Sequence, residues 1–454
     1  MQKIGRFFNI KFLLSLFVLL GLFTLWVYQG VAQTGIHVDL ARDLHYLSEI
    51  WVGKIVWLGP MTSANFPTPP IYYYLLFPGL LLSSGNGLSI IFSQTFFALL
   101  ALTLFAYFQS KNSLISTLFV ILTIGLSPWW IRASTLPWNG HMYVAWVFLA
   151  LTSLWFKNPI FISALLFGIS IAINPVAILA LPVLFYEWLT YEKKIKNLVY
   201  VLLGLLLPWT PILIFEIITR GFLIRQWLEQ PSAAGIIFSP NMANISPLLN
   251  TIGISQVPAV VIWLMAFLIG SKRAKYWLVM ASLPLIFLML FSPLRGYYLL
   301  GLICALTFIT LISLSSKTIG RILLIIFIFS YIQMISFPPL NLSGRSIPRM
   351  NNVVDTFIEN NHLDKTKKYA VVSVIDSQNS TPQADDYRFF LRMKGVNALS
   401  LDQYNQADIL VLFVEVPNFN WQDFEDWHTQ QFGSRKLLSS QNIDGIEIII
   451  YGRN

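Results

Sequence analysis

Asp39, Arg42 and Asp43 fall at helical spacing, so a helix would set all three on one face. A carboxylate at Asp39 can orient an acceptor hydroxyl and take its proton as that hydroxyl attacks. The competing reading is a surface ion pair between Asp39 and Arg42, worth little energy. Spacing alone weighs the two evenly. Further along, the chain offers Arg42, Lys54, Arg132, Arg220, Arg225 and Arg295 as the basic residues of one set of loops, and five of these six are arginine. Arginine presents a planar fork of donors matched to phosphate oxygens, whereas a loop needing only positive charge is served equally by lysine. For any single arginine, snorkelling to a headgroup explains as much. As a set they suit a lipid-linked phosphate at a membrane surface. Glu216, near the end of an apolar run, is either a functional acid or a partner for Arg220 four residues on. His37, His45 and His141 lie in the same set of loops. His37 and Asp39 could share a metal ion, but a solvated or capping histidine is the commoner outcome.

The elements that must hold these residues are membrane helices. With 56% hydrophobic and 11% charged residues among 454, the chain is too apolar for a soluble protein of its size. Residues 1–340 carry 19 basic and 7 acidic residues, and residues 341–454 carry 11 and 14. The basic balance thus sits in short loops between apolar runs, where it orients helices, and this argues against nucleic acid as a partner. Cys304 is the sole cysteine and lies in an apolar run, so disulfides play no part.

Apolar runs predict eleven helices near 10–32, 88–109, 113–130, 141–156, 159–173, 176–190, 197–219, 256–270, 276–292, 297–315 and 320–338. The first run resembles a signal peptide, with Gly30-Val31-Ala32 as a cleavage site, yet it is long for one and is expected to remain as a helix. Lys3, Arg6 and Lys11 place the N-terminus in the cytoplasm. Lys111, Lys157, the cluster Lys193-Lys194-Lys196, the cluster Lys272-Arg273-Lys275, and Lys317 with Arg321 then all fall inside, and the C-terminus falls outside. Two outer loops are long, residues 33–87 and 220–255. Within the first, Leu40, Leu44, Leu47 and Trp51 predict an amphipathic helix over 39–52, lying on the membrane with Asp39, Arg42 and Asp43 on its other face.

Residues 341–454 read as a small extracytoplasmic α/β domain. A polar linker precedes strands at Tyr369–Ile375, Asp408–Val414 and Ile446–Tyr451 and helices at Asp385–Met393 and Trp421–Gln430. Asp385-Asp386 and the acids near Asp423 read as solvated faces, and Asn379-Ser380-Thr381 fits a glycosylation sequon. The expected fold class is a polytopic α-helical membrane protein with a small C-terminal α/β domain, divided at about residue 340.

Several runs together resemble the GT-C superfamily of membrane glycosyltransferases, in the branch of the protein O-mannosyltransferases and lipid A aminoarabinose transferases. They are Asp39-Leu40-Ala41-Arg42-Asp43, Leu58-Gly59-Pro60, and Phe66-Pro67-Thr68-Pro69-Pro70-Ile71-Tyr72-Tyr73-Tyr74. Later echoes are Arg132 with Pro137-Trp138-Asn139, the stretch from Gly204 through Pro208, Pro211 and Glu216 to Arg220, and Arg295-Gly296-Tyr297-Tyr298. The resemblance implies transfer of a sugar, with inversion, from a polyprenyl-phosphate carrier to a glycan, glycolipid or protein acceptor on the outer face. It implies Asp39, with Asp43, as catalytic acids, and Arg42, Arg132, Arg295 and Lys54 as contacts to the donor phosphate. Tyr72, Tyr74, Trp138, Asn139 and Glu216 are candidates for sugar or acceptor binding, although an interfacial aromatic belt accounts for the aromatic ones. Two departures stand out. Leu40 occupies the place of a second acid in many relatives, leaving a divalent metal possible but without an assigned ligand set. Thr68 replaces a basic residue, which leaves that phosphate contact to Lys54 or to none. The rival reading is a transporter or flippase, for which the broken run at Asn174-Pro175 is the one supporting feature.

Overall fold

The computed structural model describes residues 10–62, 66–229, 256–290, 299–339, 344–375, 384–422 and 424–454. They form two compact units, one of residues 1–32, 57–75 and 91–339, the other of 33–56, 76–90 and 340–454. The second unit therefore reaches back into the first long loop, beyond the single boundary expected near residue 340.

In chain order the helices are α1 (Ile10–Gln33), α2 (Val38–Trp51), α3 (Ile71–Leu82), α4 (Ser89–Ser110), α5 (Leu114–Leu126), α6 (Pro128–Thr135), α7 (Asn139–Trp155) and α8 (Ile160–Ile173). There follow α9 (Leu181–Thr190), α10 (Lys194–Leu206), α11 (Thr210–Ile218), α12 (Phe222–Glu229), α13 (Gln256–Ile269), α14 (Lys272–Leu290), α15 (Leu300–Ser315) and α16 (Thr318–Met334). Every one of the expected apolar runs holds helix. By length and apolarity, three described helical stretches are able to cross a membrane, Ile10–Gln33, Ser89–Ser110 and Lys194–Ile218, or four if a bent pair is one span. This is the make-up of a multi-pass membrane protein.

Proline sets the departures from straight rods. The run expected at 113–130 bends by 69° between α5 and α6. Pro128 begins the second helix, and Ser127 before it is extended at φ −66°, ψ 136°, as a residue preceding proline must be. The run at 197–219 passes through a 3-10 turn at Leu207–Trp209, next to Pro208. The first long loop also contains α3, which the sequence reading did not separate from its surroundings; its 12 residues include Pro78 and are short for a span.

Small residues let the helices of the first unit approach. A Cβ on Gly168 would meet the Gly204 carbonyl oxygen at 2.5 Å, and one on Gly204 would meet Ala164 at 2.8 Å, so α8 and α10 touch backbone to backbone. Polar ties then fix the helix ends. Arg273, in the first turn of α14, donates to the Trp155 and Leu154 carbonyls at 2.7 Å each and to Glu187 Oε1 at 2.8 Å, with its guanidinium over Trp155 and Trp277. Arg273, expected as one of the loop bases that orient the helices, thus also ties helix ends together. It closes the C-terminal end of α7, where its charge also suits the helix dipole. Ser116 Oγ and Arg321 Nε likewise both donate to the Ser315 carbonyl.

The second unit is built on a mixed sheet, ordered β2-β1-β3-β5-β4. Its strands are β1 (Lys368–Val374), β2 (Asn397–Ala398), β3 (Ile409–Val414), β4 (Arg435–Ile443) and β5 (Ile446–Arg453), with β1 parallel to β2 and β3, and β5 antiparallel to β3 and β4. Its helices are α17 (Ile347–Asn361), α18 (Asp385–Met393) and α19 (Trp427–Phe432), besides α2 from the first loop. Helix α17 replaces most of the expected linker. Met350, Val353, Val354 and Phe357 repeat at helical spacing and are fully buried. The helix expected at Trp421–Gln430 begins only at Trp427, where Asp426 closes a capping box with Thr429. The proposed sequon lies outside the described residues.

Candidate active site

The first site residues open α2. His37 caps the helix, its Nδ1 accepting from Leu40 N at 3.4 Å, and burial holds its proton affinity below the usual imidazole value, with Asp39 opposing and Arg42 assisting. Of the readings weighed for His37, capping is the role it plays. Arg42 then lies between two carboxylates. Its Nη1 donates to Asp39 Oδ1 at 2.9 Å, while Nε and Nη2 donate to Asp43 Oδ1 at 3.0 and 2.8 Å.

The two acids differ in access. Asp39 has 45% of its side chain exposed, but Asp43 has none. Asp43 therefore does not share an outer face with Asp39, because the helix turns it inward beside Leu40, Leu44 and Leu47, all buried. The apolar stripe of α2 is thus buried within the protein. Asp39 is open to solvent, and buried Asp43 is linked to it through Arg42.

In the helical unit, Arg132 sits in the last turn of α6. The helix is clamped from α4, where Gln94 Nε2 donates to the Ala133 carbonyl at 2.6 Å and Thr95 Oγ1 to that of Ser134 at 3.1 Å, and from within by the buried Trp130. On this fixed backbone the Arg132 side chain is exposed, with no hydrogen bond or ion pair among the described residues. Trp138 caps α7 and packs edge-on against His141. Asn139 Nδ2 lies 3.4 Å from the Ile173 carbonyl, at the broken run, while Asn174 Oδ1 accepts from Val176 N at 3.2 Å. Asn174 thus caps the 3-10 turn Pro175–Ala180 that separates α8 from α9.

The two proline-rich runs of the first loop face each other. Gly59 N donates to the Thr68 carbonyl at 2.7 Å and Thr68 N to that of Pro60 at 2.9 Å. A Cβ on Gly59 would stand 2.3 Å from the Pro69 carbonyl oxygen, so this contact requires glycine. Thr68 is fully buried and its hydroxyl donates to Pro60 O at 3.1 Å, a structural duty no long basic side chain could perform. Tyr72 is fully buried beside Tyr73, while Tyr74 keeps 40% of its surface exposed and is the one able to offer a ring face.

Glu216 is engaged elsewhere. Its Oε1 and Oε2 accept from Leu223 N at 2.8 Å and Ile224 N at 3.3 Å, so it caps α12 rather than pairing with Arg220. Lys54 pairs with Glu49 and donates to Ser400 Oγ at 3.1 Å. Arg295 lies outside the described residues. Among the described residues no group of three or more His, Cys, Asp or Glu side chains is gathered to hold a metal.

Sequence reasoning missed a row of buried cations in the second unit. Arg392 donates to Glu49 Oε1, Ser48 Oγ, Ser400 Oγ and the Ala398 carbonyl. Arg388 donates to Asp385 Oδ1 and Tyr404 Oη at 2.7 Å each and lies 3.4 Å from His45 Nδ1. Arg345 pairs with Asp386 and Glu415. Asp385 and Asp386 are accordingly interior, not a solvated face. Burial and the Arg388 charge hold His45 neutral, and Lys54, Arg392 and Ser400 outweigh burial to keep Glu49 ionised. The i, i+4 spacing of Arg388 and Arg392, on a helix opened by Asp385, was the available signal.

No protein-family model matches the chain, and no curated protein matches its sequence. Solved structures do. The chain is similar to ArnT from Cupriavidus metallidurans bound to undecaprenyl phosphate, at 11% identity and a TM-score of 0.62 over 97% of both chains. The apo form of the same protein gives a TM-score of 0.56 at 11% identity, covering 96% of this chain and 97% of that one. ArnT is an aminoarabinose transferase of GT-C type. The chain has the fold of ArnT, in line with the fold that the first-loop motifs implied.

Proposed function

We propose that the chain transfers a glycosyl group from a polyprenyl-phosphate carrier to an acceptor hydroxyl on the outer face of the membrane, with inversion. The single observation that carries the reading is the accessible Asp39 carboxylate, held by Arg42 and Asp43, in a chain folded like a transferase whose structure was solved with undecaprenyl phosphate. Asp39 accepts the proton of the acceptor hydroxyl as its oxygen attacks the anomeric carbon. The bond from that carbon to the phosphate oxygen breaks on the opposite side, and its electron pair leaves with polyprenyl phosphate. Asp43 holds Arg42, and Arg42 holds Asp39 in one orientation. Arg132 and Arg295 contact the leaving phosphate, where charge grows most between ground and transition states. The N-terminus is cytoplasmic and the C-terminal residues are outside. The acceptor is a glycan, a glycolipid or a protein.

The test is to incubate the purified protein with a panel of polyprenyl-phosphate sugars and follow release of polyprenyl phosphate by mass spectrometry. Release that depends on Asp39 supports the reading. Absence of both turnover and binding across the panel would overturn it in favour of the transporter, the reading for which the broken run at Asn174-Pro175 speaks.

A further inference from the structure

A pocket of about 400 Å³ opens in the second unit, lined by Trp51 and Lys54 from the first loop and by Arg392, Asn397, Leu399 and Gln403 among others. Its volume falls in the range of small-ligand sites, and its lining has the usual make-up of apolar wall with a few polar groups. We propose that this pocket binds an anionic saccharide unit, a sugar ring bearing a carboxylate, at a place that carries no catalytic acid. The inference does not depend on the transfer reaction.

Three features converge on that ligand. The first is charge. Lys54 and Arg392 line the pocket, and the Lys365 ammonium lies within 3.7 Å of where a Cβ on Gly395, another lining residue, would sit. Glu49 is the carboxylate that Lys54 and Arg392 share, so the cations outnumber it locally. Arg392 is committed to four acceptors and serves as a fixed post. Lys54 has 49% of its side chain exposed and can turn an N–H toward an entering anion without leaving Glu49, since an ammonium has three donors. The second feature is Trp51, half-buried on the wall, which together with Val52 and Leu399 offers an apolar surface to the C–H face of a ring. The third is the pair of side-chain amides, Asn397 and Gln403, which both donate and accept and so match ring hydroxyls. Asn397 belongs to β2, a two-residue strand at the end of the sheet order.

The test measures equilibrium binding to the full-length protein in detergent, with glucuronate, glucose and inorganic phosphate as probes, read by saturation-transfer NMR and calorimetry. Saturable glucuronate binding, about tenfold tighter than glucose, is expected. Trp51→Ala and Asn397→Ala should each weaken it about fivefold or more with an unchanged melting temperature, and Lys54→Gln should remove the preference over glucose. Glucose and glucuronate binding alike would overturn the role of charge. Inorganic phosphate displacing glucuronate with equal affinity would overturn the saccharide assignment, since only charge would then be read. Asp39→Asn should leave glucuronate binding intact, which separates this pocket from the proposed reaction. Loss of glucuronate binding in that variant would overturn the separation.

Discussion

Arg388 and Arg392 in the second unit and Arg132 in the helical unit use arginine in opposite ways. In the second, the Arg388 and Arg392 side chains are 0% and 5% exposed, and their Nη groups donate to acids and hydroxyls of the protein. In the helical unit, Arg132 has a clamped backbone and an open fork. A buried guanidinium bonded to acids and hydroxyls of the protein is a strut, because removing it strands buried acceptors. One whose donors face outward on a rigid backbone is a ready anion contact, since little ordering entropy remains to be lost. Arg273 shows that the division follows local surroundings and not the unit, for it too is bonded internally, to Glu187 and two carbonyls. Arg42 combines the two uses, tied to buried Asp43 yet reaching accessible Asp39.

The comparison can be broken at several points. The largest effect is expected from Asp39→Asn, which should cut transfer by about 10²- to 10⁴-fold and leave the melting temperature in place. Asp43→Asn should lower both, and a purely catalytic loss there would contradict the assignment of Asp43 as a support. Next comes Arg388→Met, which strands Asp385 and should cost about 3–5 kcal/mol of stability by thermal unfolding in detergent. Arg132→Ala is its counterpart. Stability should change by no more than about 0.5 kcal/mol, while use of the lipid carrier weakens about ten- to a hundredfold. If Arg132→Ala melts early and Arg388→Met does not, the two uses have been assigned the wrong way round.

Acid should act on the second unit in a defined sense. His45 is held at about 3, against 6.5 for a free imidazole, by burial first and then by Arg388. Between those values the unfolded chain takes up a proton that the folded chain refuses, so stability falls as pH drops through this window. Glu49, lowered from 4.5 to about 2, adds a loss of the same sign at lower pH. Melting temperature against pH is the measurement, and His45→Gln should flatten the slope above about pH 4.5. The smallest effect belongs to Glu216→Gln, which weakens a helix cap by about 1 kcal/mol and should speed amide exchange at Leu223 and Ile224 without altering transfer.

Much was legible in the sequence because its cause is local. Apolar length announces a helix, and helical spacing of Leu40, Leu44 and Leu47 announced α2. Short apolar runs rich in β-branched residues marked β1, β3 and β5. Helix α17 was as legible from Met350, Val353, Val354 and Phe357, but the Asn and Pro around them masked it. Strand β4 was hidden for another reason. Most of its residues lie at the exposed end of the sheet, and pairing with β5 rather than an apolar pattern defines it. Capping by Glu216 spans seven residues, which pairwise helical spacing does not anticipate.

Composition and period by themselves determined that this is a membrane protein with a small α/β part toward its C-terminus, and that Asp39, Arg42 and Asp43 share a helix. Tertiary structure decided which of the two acids is open to solvent, that Thr68 and Asp386 are interior, and that Arg132 is exposed while Arg388 and Arg392 are buried. The physical reason is that exposure and partnership are set by residues remote along the chain, as when Glu49 answers Arg392 across 343 positions. A residue type states what a side chain is able to bind, and packing decides what remains for it to bind.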